Sequence, residues 1–167
     1  HGIIWRDNPL QIVEKYKEWS GNYSENQISI VYDTMWEGTS RMAYAIAEGV
    51  KEVNPGLNIK LFNSSKTDKN VLITEIFKSK ALLLGSSTIN KGILSSVAGV
   101  LEMIIGMGFK EKKAAAFGSY GWSGESVGII EEGLKKAGFE LIHDGIKALW
   151  NPDKEALEKC RNMGREI

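Results

Sequence analysis

Apolar and polar positions follow two different rhythms along this chain. Short apolar runs of strand length alternate with longer stretches in which apolar residues recur every three or four positions, as on one face of a helix. The predicted strands are 28–32, 58–62, 81–84, 114–117 and 140–146. The helices that follow them are predicted to begin near 39, 68, 94, 123 and 152. This alternation predicts right-handed βαβ crossovers and a parallel sheet covered by helices on both faces.

The first 26 residues do not share that alternation. Pro9 suits the first turn of a helix, and Ile12 and Trp19 then fall on one helical face. A polar, glycine-containing stretch ends that helix and separates it from the first strand. We therefore divide the chain into a lead-in segment, residues 1–26, and a domain proper, residues 27–167.

Composition narrows the possible functions. The 167 residues include 21 Lys plus Arg and 21 Asp plus Glu, so the net charge is zero, which argues against a nucleic-acid partner. No apolar stretch reaches the roughly 18 residues of a membrane span. One cysteine and two histidines provide neither an internal disulfide nor a self-contained transition-metal site. We expect a cytoplasmic protein with no membrane partner.

Ligands of such sheets bind beyond the carboxyl ends of the strands, where the strand order reverses. This rule selects the loops after the first, third and fourth predicted strands. The first loop, within residues 30–41, passes directly from a strand into a helix, an arrangement that attracts phosphate. The alternative is an ordinary turn capped by Thr39 or Ser40. The second loop, 85–92, and the third, 118–125, are rich in glycine and hydroxyl residues.

Three aromatic residues lie on these loops: Trp36, Tyr120 and Trp122. Any one of them alone is more simply a cap on the hydrophobic core. Three rings on adjacent loops, beside a phosphate-type turn, instead favour a flat ligand. A flat ring system that carries a phosphate describes flavin mononucleotide, FMN.

The sequence lacks the motifs of four other kinds of site that occur in this architecture. Residues 33–38 are not the Gly-x-Gly-x-x-Gly of a dinucleotide site, and no Gly-x-x-x-x-Gly-Lys-Ser/Thr loop is present. A phospho-acceptor receiver needs an aspartate after the third strand, where residues 85–86 are Gly-Ser. Residues 121–124 are one residue short of the Gly-x-Ser-x-Gly elbow of α/β-hydrolases.

At this point the sequence resembles the flavodoxin signature. The resemblance lies in residues 30–34, Ile-Val-Tyr-x-Thr, followed at the expected spacing by Thr39, Ala43 and Ile46. Glu37 departs from the pattern, because a small residue is usual at its position.

The three loops are more specifically similar to the flavodoxin domain of flavodiiron proteins, the A-type flavoproteins. The similar stretches are Tyr-Asp-Thr-Met-Trp (32–36), Gly-Ser-Ser-Thr-Ile-Asn (85–90) and Gly-Ser-Tyr-Gly-Trp-Ser-Gly-Glu (118–125). The likeness covers most of residues 27–165. Ser87 departs from the proline expected there.

The resemblance implies a flavodoxin-like α/β three-layer sandwich with a five-stranded parallel sheet in the order 2-1-3-4-5. It implies noncovalent FMN and the relay of electrons to a diiron centre that reduces dioxygen or nitric oxide. The implied electron donor is a rubredoxin-like protein or a flavin reductase, and the full-length protein is expected to form a homodimer. The alternatives are a stand-alone flavodoxin-like electron carrier and an NAD(P)H-dependent FMN reductase.

The resemblance also assigns cofactor-binding positions in each loop. Those on the phosphate and ribityl side are Thr34, Met35, Trp36, Glu37, Gly38, Thr39 and Ser40. Those that contact the ring or ribityl chain from the second loop are Ser86, Ser87, Thr88, Ile89 and Asn90. Those at the pyrimidine end are Ser119, Tyr120, Gly121, Trp122 and Ser123. Trp122 is expected to stack on the ring, with Met35 and Trp36 as alternatives for its other face.

The opening residues, His-Gly-Ile-Ile-Trp-Arg (1–6), are similar to the junction where the family's metallo-β-lactamase-like diiron domain ends. The matching histidine is an iron ligand in that family. An expression remnant would account for His1-Gly2 but not for the apolar residues that follow. The resemblance implies that this chain is the C-terminal part of a longer protein and binds no metal alone.

The remaining polar candidates are interpreted as structural. Asp33 is expected to form the turn rather than to act as a base, and Lys91 to be solvated, with pairing to the flavin or to a donor as its alternative. His143 is placed on the fifth strand or at its edge, Cys160 inside the core, and lysines 112–113 on the solvated surface.

Overall fold

Parallel strands form the main sheet in a computed structural model that describes residue 2 and residues 4–167. The strands are β1 (Gln27–Tyr32), β2 (Asn58–Asn63), β3 (Ala81–Gly85), β4 (Thr88–Ile89), β5 (Gly92–Ile93), β6 (Lys113–Tyr120), β7 (Glu140–Leu141) and β8 (Ile146–Leu149). The helices are α1 (Leu10–Trp19), α2 (Gly38–Val53), α3 (Lys69–Lys78), α4 (Ser95–Met107), α5 (Ser126–Lys136) and α6 (Lys154–Glu166).

The main sheet has the order β2-β1-β3-β6, and both β7 and β8 pair with the outer edge of β6. Every pair in it is parallel. With β7 and β8 taken as one interrupted strand, this is the predicted order 2-1-3-4-5, which is confirmed. Strands β4 and β5 form a separate antiparallel hairpin that the sequence analysis did not predict.

The prediction of one continuous fifth strand over 140–146 is wrong. Ala114 of β6 pairs with Leu141 of β7, and Phe117 of β6 pairs with Ile146 of β8. The second pair thus lies three residues further along β6 but five residues further along the edge strand. The edge strand therefore contains extra residues between its two halves and cannot keep a continuous ladder.

A side chain from the helical layer stabilises this break. The backbone N–H of Gly145 donates to Oε1 of Glu131 in α5 at 2.8 Å. A Cβ on Gly145 would lie 2.1 Å from Val127, so the chain approaches α5 too closely for any other residue. His143, predicted on the fifth strand or at its edge, lies in the break between β7 and β8.

Hydrophobic side chains fill both sides of the sheet. Helices α2 and α6 cover one face, and α3, α4 and α5 cover the other. Along β1, Ile28 and Ile30 join the first cluster and Val31 joins the second. Burial on both faces explains the nearly continuous apolar runs in the sequence. The predicted three-layer sandwich is confirmed.

Cys160 belongs to the first cluster and is fully buried, as predicted. Burial raises the pKa of its thiol to about 12. The thiol therefore stays protonated and acts as a small apolar side chain.

The lead-in segment attaches to the domain through aromatic rings. Tyr23 stacks on Phe77 of α3 with 5.4 Å between ring centroids, and Trp19 meets the same ring edge-on at 6.5 Å. Helix α1 itself contains no buried residue. No helix in the described part of the chain is both long enough and apolar enough to cross a membrane.

Lys112 is buried, so its prediction as a solvated residue is wrong. Its ammonium donates to the carbonyl oxygens of Tyr23, Phe77 and Ser79 at 3.0, 2.7 and 2.8 Å. These acceptors come from the lead-in and from the end of α3, where the helix dipole is negative. Burial lowers the pKa of Lys112 to about 8. The neighbouring Lys113 is exposed, as predicted.

Helices α2 and α6 touch through glycines, which yields a stability prediction. A Cβ on Gly164 would lie 2.2 Å from the backbone oxygen of Ile46, so Gly164→Ala must separate the helices. We expect the unfolding free energy to fall by about 2–3 kcal/mol, measured by urea denaturation. Gly128→Ala in α5 is the control, because nothing lies within 4 Å of its Cβ position. An equal loss in both variants would contradict the close-contact explanation.

The buried Lys112 predicts a dependence of stability on pH. Because the folded-state pKa of about 8 lies below the ordinary 10.5, the unfolded chain binds more protons in that interval. The stability of the wild type relative to Lys112→Met should therefore rise with pH from 8 to 10.5, by up to about 1.4 kcal/mol per pH unit. Lys113→Met, at the exposed neighbour, should show no such slope in urea denaturation. A flat difference for Lys112→Met would mean that the three carbonyl oxygens fully offset the burial.

Candidate functional site

A cleft of about 630 Å³ opens at the carboxyl ends of the central strands. The predicted residues that line it are Met35, Trp36, Gly38, Ser87, Thr88, Asn90, Ser119, Tyr120, Gly121, Trp122 and Ser123. The predicted residues that do not line it are Thr34, Glu37, Thr39, Ser40, Ser86 and Ile89. Three residues that were not predicted complete the lining: Lys91, Trp150 and Asn151.

A second, smaller cleft of about 300 Å³ lies at the opposite edge of the sheet. It is lined near the amino ends of the strands by Ile28, Ala81 and Lys113, beside the buried Lys112. Ligands of parallel α/β sheets bind at the carboxyl edge, so the larger cleft is the candidate site.

Three hydroxyl groups join the three loops beneath the cleft. The Oγ1 atom of Thr39 lies 3.0 Å from Oγ of Ser87 and 2.9 Å from Oγ of Ser119, and the two serine oxygens are 3.2 Å apart. All three residues are buried. We call this group the hydroxyl triangle. Ser87 stands where the family resemblance expects proline, which has no hydroxyl to contribute.

Other hydroxyls hold the second loop against α5. Thr88 Oγ1 donates to Ser126 Oγ at 2.9 Å, and Ser126 Oγ donates to the backbone oxygen of Ser86 at 3.1 Å. The Ser86 hydroxyl accepts the Leu94 N–H at 2.9 Å and donates to the Ser87 carbonyl at 2.8 Å. Ser86 is fully buried. Its side chain thus supports the loop from behind.

The start of α2 leaves hydrogen-bond donors without side-chain partners. The N-cap residue is Glu37, and its side chain forms no capping hydrogen bond. Thr39 and Ser40 lie inside the helix, so the interpretation of either as the cap is wrong. Thr34 Oγ1 is also buried without a hydrogen-bond partner. An orphaned hydroxyl beside an uncapped helix start suits an anionic group.

Asp33 fixes the path of the first loop. Its carboxylate accepts from the Thr34 N–H at 2.8 Å, the Ser65 hydroxyl at 3.0 Å and the Ser96 hydroxyl at 2.5 Å. These contacts tie the loop to the segment after β2 and to α4. These hydrogen bonds agree with the interpretation of Asp33 as a structural residue rather than a base.

Backbone strain concentrates around the cleft. Non-glycine residues rarely adopt positive φ, and such strain tends to collect at functional sites. Five described residues do so, and four of them lie in or beside the cleft: Glu37 at 60°, Asn90 at 49°, Lys91 at 58° and Trp150 at 54°. Asn90 and Lys91 form the two-residue turn of the β4–β5 hairpin, a turn type that requires positive φ at both positions.

Exposed indole rings surround the opening. Trp36 is 87% exposed and Trp122 is 93% exposed, so neither caps the hydrophobic core. Trp150 is 69% exposed, and its ring lies against Gly121, where a Cβ would be 3.2 Å from the indole. The backbone N–H of Trp150 donates to the Tyr120 carbonyl at 2.6 Å.

Sequence reasoning missed Trp150 because it ended the fifth strand at residue 146. The Trp-Asn-Pro sequence that follows β8 is a further aromatic loop at the carboxyl edge of the sheet. Inspection of the loop after every strand, including the edge strand, would have found it.

The sequence profile of the flavodoxin family matches residues 30–164. The chain belongs to the flavodoxin family. Membership of this family implies FMN as the cofactor. The cleft is consistent with that cofactor, since its volume is typical of small-molecule sites and Met35, Trp36 and Gly38 of the first loop line it.

The similar proteins include longer chains, of which this domain is only a part, and a flavodoxin of about the domain's own length. The anaerobic nitric oxide reductase flavorubredoxin of Klebsiella pneumoniae is 49% identical over 167 residues, which are 100% of this chain and 34% of that protein. The rubredoxin oxygen:oxidoreductase of Desulfovibrio gigas is 34% identical with a TM-score of 0.92, over 99% of this chain and 41% of that one. An archaeal flavodoxin is 26% identical with a TM-score of 0.74, over 84% of this chain and 95% of that one. The chain thus spans about a third of the length of the curated relative.

The strained Trp150 yields a prediction about the ligand-free protein. Trp150→Gly removes a bulky residue from a left-handed conformation, and the indole it removes is largely exposed. We expect the unfolding free energy to rise by about 0.5–1 kcal/mol in urea denaturation. Trp122→Gly is the control, because Trp122 is also exposed, at 93% against 69% for Trp150, but has no positive φ, and glycine there should destabilise. A loss of stability in Trp150→Gly would show that the observed conformation stores no strain.

Proposed function

We propose that this chain is the FMN-binding electron-transfer domain of a flavodiiron oxygen or nitric oxide reductase. The observation that carries the proposal is the match to flavorubredoxin over all 167 residues of this chain, which includes the lead-in segment as well as the flavodoxin domain. The archaeal flavodoxin covers only 84% of the chain. A stand-alone carrier gives no reason for the remaining residues.

In this proposal, residues 1–26 are a lead-in from an N-terminal, metallo-β-lactamase-like diiron domain, and residues 27–167 form the flavodoxin-like domain. The described residues contain no group of three or more His, Cys, Asp or Glu side chains placed to hold a metal ion. His1, proposed as an iron ligand in the longer protein, lies outside the described residues. In this proposal, the diiron centre lies in the N-terminal, metallo-β-lactamase-like domain.

Bound FMN supplies the electron-accepting ring, and the protein's part is to hold and orient it. The uncapped start of α2, with Thr34 and Thr39, is proposed to bind the phosphate through N–H and hydroxyl donors. The second and third loops are proposed to hold the ribityl chain and the ring edge. Trp36, Trp122 and Trp150 are proposed to shield the ring faces from water.

Electrons are proposed to arrive from a rubredoxin-like protein or a flavin reductase. Because Trp36, Trp122 and Trp150 are exposed, a ring held between them would lie near the surface, where a donor protein could approach it. Reduced rubredoxin should therefore reduce the FMN-loaded chain rapidly in stopped-flow mixing. Rapid reduction by NAD(P)H alone would instead support the FMN reductase alternative.

A head-to-tail homodimer is proposed only for the full-length protein.

The phosphate assignment yields a prediction that compares two flavins. Thr39→Val keeps the shape of the side chain but removes a buried donor, so FMN binding should weaken by about 1–3 kcal/mol. Riboflavin, which lacks the phosphate, should lose much less affinity. Fluorescence titration of flavin-free protein measures both, with Thr74→Val on the exposed face of α3 as the control.

Equal losses for FMN and riboflavin would contradict the assignment. In that case Thr39 would act by holding the three loops together through the hydroxyl triangle. The absence of FMN binding by the wild type would overturn the proposed function itself.

A further inference from the structure

Lys91 is the single charged side chain that lines the cleft within the described part of the chain. Its neighbours in the lining are tryptophan, tyrosine, serine, threonine, asparagine, methionine and glycine. Among the side chains that line the cleft, the formal charge therefore comes from one ammonium group.

The position of Lys91 is fixed by the fold. It occupies the second position of the two-residue hairpin turn, where asparagine and glycine are the usual residues. The hairpin is anchored at Thr88, whose hydroxyl bonds to Ser126 at the start of α5. The anchored turn therefore holds the backbone of Lys91 at the rim of the cleft, and its side chain lines the cleft.

The charged residues near this rim oppose the charge of Lys91 only in part. No salt bridge involving Lys91 is present among the described residues. Glu125 is the carboxylate that interacts with it over a longer distance, and that carboxylate accepts from the Ser123 hydroxyl at 2.7 Å. Lys147 adds a second positive charge near Glu125. Arg41 bonds to the uncharged Asn151, and Glu37 precedes the start of α2.

Reduction of FMN changes the charge in the cleft. Uptake of two electrons and one proton converts the neutral isoalloxazine into a reduced ring that carries one negative charge near neutral pH. A positive charge at the rim attracts that form and leaves the neutral oxidised ring almost unaffected. Tighter binding of the reduced form raises the reduction potential of the bound flavin, because the two affinities and the potential form one thermodynamic cycle.

We propose that Lys91 tunes the bound flavin by making this site bind reduced FMN more tightly relative to oxidised FMN. Lys91 acts through its charge and takes no part in electron transfer itself. This inference rests on the proposed function, since it presupposes that FMN occupies the cleft.

The test measures the equilibrium reduction potential of the FMN-loaded chain, with dithionite as reductant and a reference dye. Lys91→Gln should lower the affinity for reduced relative to oxidised FMN by about three- to tenfold, or about 15–30 mV for a two-electron couple. Lys91→Arg should keep the wild-type potential, and Lys91→Glu should lower the potential further than Lys91→Gln. Glu125→Gln, which removes the opposing charge and keeps a hydrogen-bonding side chain, should raise it.

Lys113→Gln is the control, because Lys113 is exposed at the opposite edge of the sheet. Its potential should equal that of the wild type. Fluorescence titration measures the affinity for oxidised FMN in the same variants: a merely structural role of Lys91 would weaken the binding of oxidised and reduced FMN equally and leave the potential unchanged.

A wild-type potential in Lys91→Gln, with FMN bound normally, would overturn this inference and leave the proposed function intact. Failure of the wild type to bind FMN would overturn both. Since a charge effect is screened by salt, the difference between wild type and Lys91→Gln should shrink at high ionic strength. A difference that does not change with salt would contradict the electrostatic explanation.

Discussion

Three buried hydroxyls hold the site of this protein together, one from each of three loops that are far apart in the sequence. Thr39, Ser87 and Ser119 can meet because β1, β3 and β6 are neighbours in a parallel sheet, so that their carboxyl ends lie at one edge. In a buried environment each hydroxyl must find a partner, which makes the positions of the loops depend on one another. The cleft above them has its shape because its floor is fixed in this way.

The rim of the cleft is organised differently from its floor. The floor consists of satisfied hydrogen bonds, whereas the rim consists of exposed indoles and of residues in left-handed backbone conformations. Exposed aromatic surface and strained backbone both reduce stability, and neither contributes to the two hydrophobic clusters. Their shared location at one edge is best explained by a ligand that covers the rings. The conclusion that FMN is the cofactor and the geometry of the cleft therefore support each other.

The lead-in segment is attached at the opposite edge of the sheet. The Lys112 ammonium donates hydrogen bonds to carbonyl oxygens of the lead-in and of the end of α3. Beside these hydrogen bonds, Tyr23 stacks on Phe77. A buried ammonium without a carboxylate partner is unfavourable unless several dipoles solvate it, and here three carbonyl oxygens do so. The lead-in is thus attached by a specific contact, although α1 itself buries nothing.

The sequence by itself determined the layers, the strand order and the three loops. Doubly buried strands and amphipathic helices leave strong periodic signals, and the flavodoxin signature specified which arrangement they form. The tertiary structure decided the features that depend on contacts between distant residues: the break at Gly145, the burial of Lys112, the hydroxyl triangle and the place of Trp150 in the cleft. Lysine, serine and tryptophan occur in many environments, so their roles follow from the neighbours that the fold brings to them. Local periodicity specifies which face of an element is buried, but only the assembled sheet specifies what lies opposite that face.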